Sequence, residues 1–333
     1  MEEQRKTVRL ADIAERMGVS IVTVSNALQG RRGVGEALRQ KIEEQAKEMG
    51  YHVPTKNNKK ATLKVGVVIA KEYVITPKSF YMELYQQLVA ELAKKNGIAL
   101  LEILDTKDPG SYPELLENET VNGIVVIGEI KDPFTEEMMS RSKVPVVFMD
   151  YYKNIPDGDF VLTDGYFGGY AITKYLLDRG MTDLDFVGTP NTTSSISDRY
   201  MGYRRALLKH GIPFDESKVI FDRSKDNKQY QIHLPERIPE GFVCNNDYVA
   251  AQIVDLLIEQ GYRVPEDVSV IGFDNYNGQN KNDIKITTYA IDRKEFARAV
   301  VEVLCKRIRG VKNRNSYDYR ILEGRIMAGN SVR

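Results

Sequence analysis

From Leu63 onward, short β-branched apolar runs alternate with amphipathic stretches, and this rhythm narrows the possible folds more than any other feature. KVGVVIA (64–70), IALLEIL (98–104), GIVVIG (123–128) and VPVVFMD (144–150) have strand length and are apolar nearly throughout, as strands buried on both faces are. Between the first two, Tyr81, Leu84, Leu88 and Leu92 recur every three or four residues and Gly97 supplies a stop, which predicts a helix over 80–97. DFVLT (159–163), LDFVG (184–188), GFVCN (241–245) and VSVIGF (268–273) form a second series, separated by helical stretches at 165–179, 197–210 and 247–261. Alternating strand and helix implies parallel sheets with right-handed crossovers, and two series imply two doubly wound lobes. The tail, with a helix near 292–309 and a strand near 317–323, reads as a return through both. We therefore expect one lobe at about 65–160 and 292–318, and a second at about 161–291 and 319–333. At 333 residues the chain is long enough for two or three domains.

The first fifty residues have a different texture, that of short helices with little strand pattern. Across the whole chain 47 basic residues cancel 47 acidic ones, but their distribution is uneven. Met1 to Lys64 holds 13 Lys/Arg against 8 Asp/Glu, a net of +5, which leaves −5 for the remainder. A basic N-terminal segment, made of a head (about 1–52) and the residues that follow it to Lys64, is thus joined to an acidic body (about 65–333). The stretch between them (53–64), VPTKNNKKATLK, carries four lysines and no apolar period, and reads as a linker. Cys244 and Cys305 sit in apolar runs and form neither a disulfide framework nor a metal-type pair, which fits a reducing compartment. MEEQRKTVRL has no signal-type apolar stretch, and no window reaches the roughly 18 apolar residues of a membrane span, so we expect a cytoplasmic protein without membrane contact.

Leu10 to Leu28, LADIAERMGVSIVTVSNAL, is the sharpest local signal. Ala14 suits a close helix–helix approach, and Gly18 supplies a turn that only a residue without Cβ adopts cheaply. Ile13, Met17, Val19, Val24 and Ala27 are spaced to bury a small core. Ser20 is a good N-cap for a second helix, which leaves Ile21, Val22, Thr23, Ser25 and Asn26 toward its exposed N-terminal side. That is a helix-turn-helix, whose second helix enters the major groove of double-stranded DNA. Asn26 can pair with an adenine edge, and Ile21 and Val22 can touch thymine methyls. Ser20, Thr23 and Ser25 suit phosphates. Arg31, Arg32 and Arg39 could reach the backbone or form a solvated basic face.

With that motif in place, the chain resembles the lactose-repressor (LacI/GalR) family of bacterial transcriptional regulators from about Val8 to about Gly329. The resemblance rests on VRLADIAERMGVSIVTVSNALQG, on Arg39 and the MGY ending at Tyr51 followed by Pro54, and on TDGYFGGYAITKYLLDRG (163–180), DRYMGYRRAL (198–207) and PEDVSVIGFDN (265–275). It implies an α/β protein with an all-α helix-turn-helix head and a periplasmic-binding-protein-like body of two doubly wound lobes. It also implies a homodimeric repressor on a pseudo-palindromic operator, with a small-molecule effector, a carbohydrate by expectation, bound between the lobes. Asp150, Arg199, Asn246 and Asp274 fall on the family's effector-contact positions. Their carboxylates, guanidinium and amide suit sugar hydroxyls, although Arg199 equally reads as one partner of an ion pair. Strand-end polar residues Asp150, Asp164, Thr189, Asn246 and Asp274 lie where open α/β sheets bind ligands. Asp164 and Asp247 are expected to cap the helices that follow them.

Three departures from the family pattern carry expectations of their own. TKNNKKATLK (55–64) lacks the usual short helix, and only Leu63 could act as a minor-groove wedge, so we expect little bending of the operator and a steep salt dependence. Asn26 stands where arginine is frequent, so the family's common central-operator preference is not carried over. KEYVITPKSFYMEL, after the first body strand, is longer and more polar than usual. Phe80, Tyr81, Tyr248 and Phe273 either stack on a ligand ring or belong to the core, and Arg293 raises the option of an acidic or phosphorylated effector. No catalytic, metal or cofactor site is expected. GxxxxGK[ST], GxGxxG and GxSxG are absent, and His52, His210 and His233 have no ligand spacing. Two rivals remain, a regulator whose body is only a dimerisation and docking scaffold, and an enzyme of doubly wound fold.

Overall fold

The computed structural model describes residues 10–28, 34–49, 51, 62–74, 79–106, 108, 113–117, 120–130, 132–155, 158–223, 230–276, 278–310 and 318–333. These form two compact units divided between Thr62 and Leu63.

The head holds three helices, α1 (Leu10–Met17), α2 (Ile21–Leu28) and α3 (Glu36–Glu48). Gly18 turns the chain between the first two at φ 64°, and the amide of Val19 donates to Ala14 O at 3.1 Å, closing α1. Ile13, Ala14, Val24, Ala27, Ile42 and Ala46 are buried together, with Met17 and Val19 packed partly against them. So small a core leaves little margin, and it is completed only by α3, whose Ile42 and Ala46 fill the space between the other two helices.

The body begins directly with β1 (Leu63–Ala70), which runs beside β2 (Gly97–Leu104) with Leu63 opposite Gly97. Leu63 and Lys64, expected in the linker, are therefore strand residues, and Leu63 is committed to the sheet rather than to a groove wedge. The rest of the linker, 53–61, lies outside the described residues, as do Arg31 and Arg32.

In chain order there follow α4 (Phe80–Ala93), α5 (Glu114–Glu117), β3 (Gly123–Ile127), α6 (Asp132–Arg141), β4 (Val146–Met149) and β5 (Asp159–Thr163). The second half comprises α7 (Gly165–Leu177), β6 (Leu184–Val187), α8 (Ser194–Lys209), β7 (Val219–Ile220), β8 (Gly241–Cys244), α9 (Asp247–Glu259), β9 (Ser269–Asp274) and β10 (Thr287–Ala290). The chain ends with α10 (Arg293–Ile308), β11 (Tyr319–Leu322) and β12 (Arg325–Met327). One six-stranded sheet has the order β11-β5-β4-β3-β1-β2, the other β12-β10-β9-β8-β6-β7. Among the described residues, all pairings within these sheets are parallel except β10 with β12.

The two doubly wound sheets agree with the sequence reading, but the lobe boundaries differ from it. DFVLT and the strand at 319–322 both belong to the first sheet, where β11 pairs with β5. The chain passes to the second lobe only at Asp164, returns at Asp292 and crosses a third time between Leu322 and Arg325. The alternation rule fails here for a local reason. Among the described residues no helix separates β4 from β5, so the rhythm does not mark where the lobe ends.

The glycines of GYFGGY were read as allowing close packing on the sheet, and two partners share them. A Cβ on Gly168 would lie 2.4 Å from Phe273 in the sheet beneath, whereas one on Gly169 would lie 2.3 Å from the carbonyl oxygen of Arg199 on α8. Gly202 answers from α8, since a Cβ there would lie 2.2 Å from Tyr166 O. Helices α7 and α8 thus meet backbone to backbone, and this contact fixes the height of Arg199 above its sheet.

Candidate functional site

In the head, the Ser20 hydroxyl accepts from the amide of Thr23 at 3.1 Å, so the expected N-cap is formed. Val24 and Ala27 point inward, while Ile21 and Val22 are 52% and 66% exposed and Thr23, Ser25 and Asn26 are half-buried. Exposing two aliphatic side chains side by side on a capped helix is unfavourable in water unless a partner covers them. A major groove lined with thymine methyls is such a partner. No side chain of α2 is charged, so the helix itself contributes only shape and hydrogen bonding to recognition.

In the body, strand order brings the strand-end residues of both sheets to one interlobe edge. Asp150 follows β4 at φ 70° and is buried. It accepts from the Thr163 hydroxyl at 3.4 Å, while its carbonyl oxygen accepts from Ser195 Oγ at 2.9 Å. Burial pushes its carboxyl up to about 6, with the Arg199 guanidinium and the hydroxyls of Thr163, Tyr81 and Ser195 pulling the other way. Asp274 closes β9 at φ 86°, accepts from Tyr276 N at 2.9 Å and is pushed up to about 7 by burial, against the pull of Arg199. Arg199 on α8 lies between them in electrostatic terms, acting on both. It is buried, donates from Nη1 to Asn245 O at 2.7 Å, and its Nε has no hydrogen-bond partner among the described residues.

Asn246 has a different local role from the one expected. Its side-chain oxygen accepts from Val249 N at 2.8 Å and caps α9, and its amide donates to the side chain of Asn245. The expected cap, Asp247, is instead the first residue of the helix, buried, with Oδ1 lacking a hydrogen-bond partner among the described residues. Burial and the nearby Asp274 drive its carboxyl well up, toward the neutral acid. Asp164 does cap its helix, accepting from Phe167 N at 2.8 Å.

Arg293, raised as a contact for an acidic ligand group, has partners within the protein: its Nη1 donates to Asp274 O at 3.2 Å and Asn275 O at 2.9 Å while its Nε faces Glu83 at 3.9 Å. It is a tie between α10 of the first lobe and the β9 loop of the second. Among the aromatic residues, Phe273 is buried, Tyr81 is half-buried with its hydroxyl bonded to the Asp150 carboxyl, and the half-buried Tyr248 packs edge-on against Tyr230 at 4.9 Å, so each of the three has a partner within the protein. Phe80 packs on Tyr276 across the lobes at 5.7 Å.

Two site residues escaped the sequence reading. Arg223 donates from Nε to Asp222 at 3.3 Å and from Nη2 to the Tyr230 hydroxyl at 3.2 Å, and its charge is felt at Tyr73 and Tyr81 of the first lobe. Asp222, fully buried, anchors it and also accepts from Thr189 N, Thr189 Oγ1 and Asn245 Nδ2 at 2.9, 2.7 and 2.8 Å. The only sequence signal for this pair is an Asp-Arg step after β7, a strand of two residues that no periodicity reveals.

A shallow recess, lined by residues including Asp150, Thr163, Ser194, Ser195 and Asp198, opens at this edge. A second recess, lined by Leu115, Leu116, Val121, Lys143 and Val144, lies at the opposite edge of the first sheet and brings together no set of polar groups. Among the described residues no cluster of His, Cys, Asp or Glu has metal-binding geometry, and no helix is long and apolar enough to cross a membrane.

Residues 9–53 match the family model for bacterial regulatory proteins of the lacI family, and residues 173–332 match a periplasmic binding protein-like domain. The chain is 27% identical to the HTH-type transcriptional repressor PurR of Mannheimia succiniciproducens, over 90% of this chain and 91% of that one. It is 29% identical to the HTH-type transcriptional regulator DegA of Bacillus subtilis, over 79% and 80%. Among solved structures, the transcriptional regulator CelR–cellobiose complex superposes with a TM-score of 0.68 at 21% identity, covering 97% of this chain and 99% of that one. A LacI family transcriptional regulator from Enterococcus faecium with bound ribose gives 0.67 at 25% identity, covering 81% and 98%. Head motif, paired sheets and relatives agree, and the chain joins a DNA-binding domain of the lacI family of bacterial regulatory proteins to a periplasmic binding protein-like body.

Proposed function

We propose that this protein is a cytoplasmic transcriptional repressor, without enzymatic activity, that acts as a homodimer on a pseudo-palindromic operator and responds to a hydroxyl-rich effector of the sugar class. One observation carries the effector reading. Asp150 from one lobe and Arg199 and Asp274 from the other converge at a single edge, with buried, partly unpartnered polar groups that need a polar ligand to complete their hydrogen bonding. Ligand-bound relatives support the class, since one neighbour is described with cellobiose and another with ribose. Asp150 and Asp274 would accept from sugar hydroxyls, Arg199 would donate from Nε, and Asn246 would donate from the amide N–H not used on Asn245. In the head, Ser20, Ile21, Val22, Thr23, Ser25 and Asn26 form the DNA-reading surface.

The effector favours one arrangement of the lobes. In a dimer that arrangement sets the separation of the two heads, and the ligand's differential affinity sets how far operator occupancy shifts. The test is a gel shift of the full-length protein on promoter fragments from its own locus, combined with thermal melting against monosaccharides, disaccharides, sugar phosphates and nucleosides. A ligand held only by the folded state must raise the melting temperature. Specific retention of a fragment, relieved by a sugar that also raises the melting temperature, is the expected result. Failure to retain any fragment overturns the regulatory reading, and a panel without a hit overturns the effector reading.

A further inference from the structure

Glu129 lies outside the set singled out by strand-end polarity or family resemblance, yet it makes a direct bond between the lobes. Its Oε2 accepts from the backbone amide of Ser194 at 2.6 Å. The topology accounts for the encounter. Strands β3 and β4 are neighbours with Ile127 opposite Met149, so Glu129 and Asp150 leave the same sheet edge side by side. Between β3 and Glu129, Gly128 adopts φ 77° against the rings of Tyr73 and Tyr81, where a Cβ would sit 3.0 Å from each, and this turn aims Glu129 at the second lobe.

On the far side, Thr193 caps α8 by accepting from Ile196 N at 3.2 Å, which leaves the Ser194 N–H as a donor without a partner in its own helix. A carboxylate there is favoured both by the hydrogen bond and by the positive end of a sixteen-residue helix. One residue on, Ser195 Oγ donates to Asp150 O at 2.9 Å, so the first lobe grips the first turn of α8 at two points. The same helix carries Arg199.

We propose that Glu129 is a positioning residue of the effector cleft, tying the first turn of α8 to the first lobe and thereby setting the effector concentration at which the lobes rearrange. This rests on the interlobe effector reading above. An effector oxygen that takes the Ser194 amide must displace the Glu129 carboxylate, whereas an effector hydroxyl can donate to it.

Hydrogen exchange of the full-length protein, wild type beside Glu129→Gln and Glu129→Ala, tests the tie without any ligand. Glutamine keeps an acceptor oxygen and loses the charge; alanine loses both. Exchange at Ser194 and Ser195 should quicken by about tenfold in Glu129→Ala and by less in Glu129→Gln, with peptides from 241–259 unchanged. Unchanged exchange at Ser194 in Glu129→Ala overturns the proposal, and so does a uniform rise across the body in both variants, which would mark a general packing role. Neither outcome depends on finding a sugar that binds, so failure of the ligand panel remains a separate result that bears on the effector reading alone.

Discussion

The guanidinium of Arg199 lies over the ring of Phe273, its central carbon 3.9 Å from the ring centroid. Phe273 immediately precedes Asp274 on β9, so the stack holds a cation beside the carboxylate that follows it. The bond from Nη1 to Asn245 O fixes the plane of the fork, and Nε is left without a partner among the described residues. A planar, stacked donor of this kind is a task for arginine rather than lysine, whose charge is a point and whose stem does not stack.

Replacing Arg199 with alanine should abolish the response to effector, because losing a hydrogen bond to a charged group costs about 1.5–3 kcal/mol, or roughly ten- to a hundredfold in affinity. Operator affinity measured by gel shift without effector should stay within about twofold, since the change is confined to the body. Arg199→Lys should not restore the response. Equal loss of both activities would refute the assignment of Arg199 to the cleft.

The raised carboxyls give a pH dependence whose sign follows from burial. Asp150 and Asp274 titrate near 6 and 7 in the folded protein, above their ordinary value of 3.8. Between about pH 4 and 7 the unfolded chain ionises these groups while the folded one keeps their protons, so their contribution makes the protein less stable as pH rises. Asp274→Asn should therefore gain stability relative to wild type across that window. The gain is a few kcal/mol at most, since each tenfold difference in proton affinity between the folded and unfolded chain is worth about 1.4 kcal/mol. Effector affinity runs the other way. An ionised carboxylate is the better acceptor for hydroxyls, so affinity should rise between about pH 5.5 and 7.5 and then level, as read by titration calorimetry. A flat profile would show that neither acid meets the ligand.

Gly202→Ala should be among the most damaging small substitutions in the body, because the new Cβ would collide with backbone atoms of α7 rather than with a yielding side-chain tip. Overpacking of this kind costs typically about 1–3 kcal/mol, which chemical denaturation would detect, and it would tilt Arg199 away from Phe273. A variant that melts like wild type and keeps its effector response would show that α7 and α8 are not locked together.

In the head, Ser20→Ala should cost about 1 kcal/mol through loss of the cap, and Gly18→Ala a similar amount through strain at φ 64°. Asn26→Ala should relax base preference at one position of each half-site by about 1–3 kcal/mol without altering the slope of affinity against salt. A changed salt slope instead would place Asn26 on a phosphate.

The sequence alone determined the helix-turn-helix, because every requirement of that unit is local. Gly18, Ser20 and the buried pair Val24 and Ala27 lie within ten residues of each other, and their spacing is the structure. It also determined that the body has two parallel sheets, since β-branched runs separated by amphipathic helices have few other ways to bury themselves. Asp150, Arg199 and Asp274 were legible as strand-end and motif residues. Tertiary structure alone decided the rest. DFVLT joins the first sheet because no helix follows β4, and a strand's partner depends on which edge is free rather than on its own composition. Asn246 displaced Asp247 as the cap of α9, a choice made by one residue of helix register. Arg223 is held against Tyr230 beside the buried Asp222, and Glu129 reaches Ser194 because β3 and β4 are neighbours facing α8. The cap of α9 is a local choice, but the others rest on contacts between segments dozens of residues apart, such as Asp222 with Thr189 and Asn245, and periodicity, which compares each residue only with its close neighbours, contains no record of them.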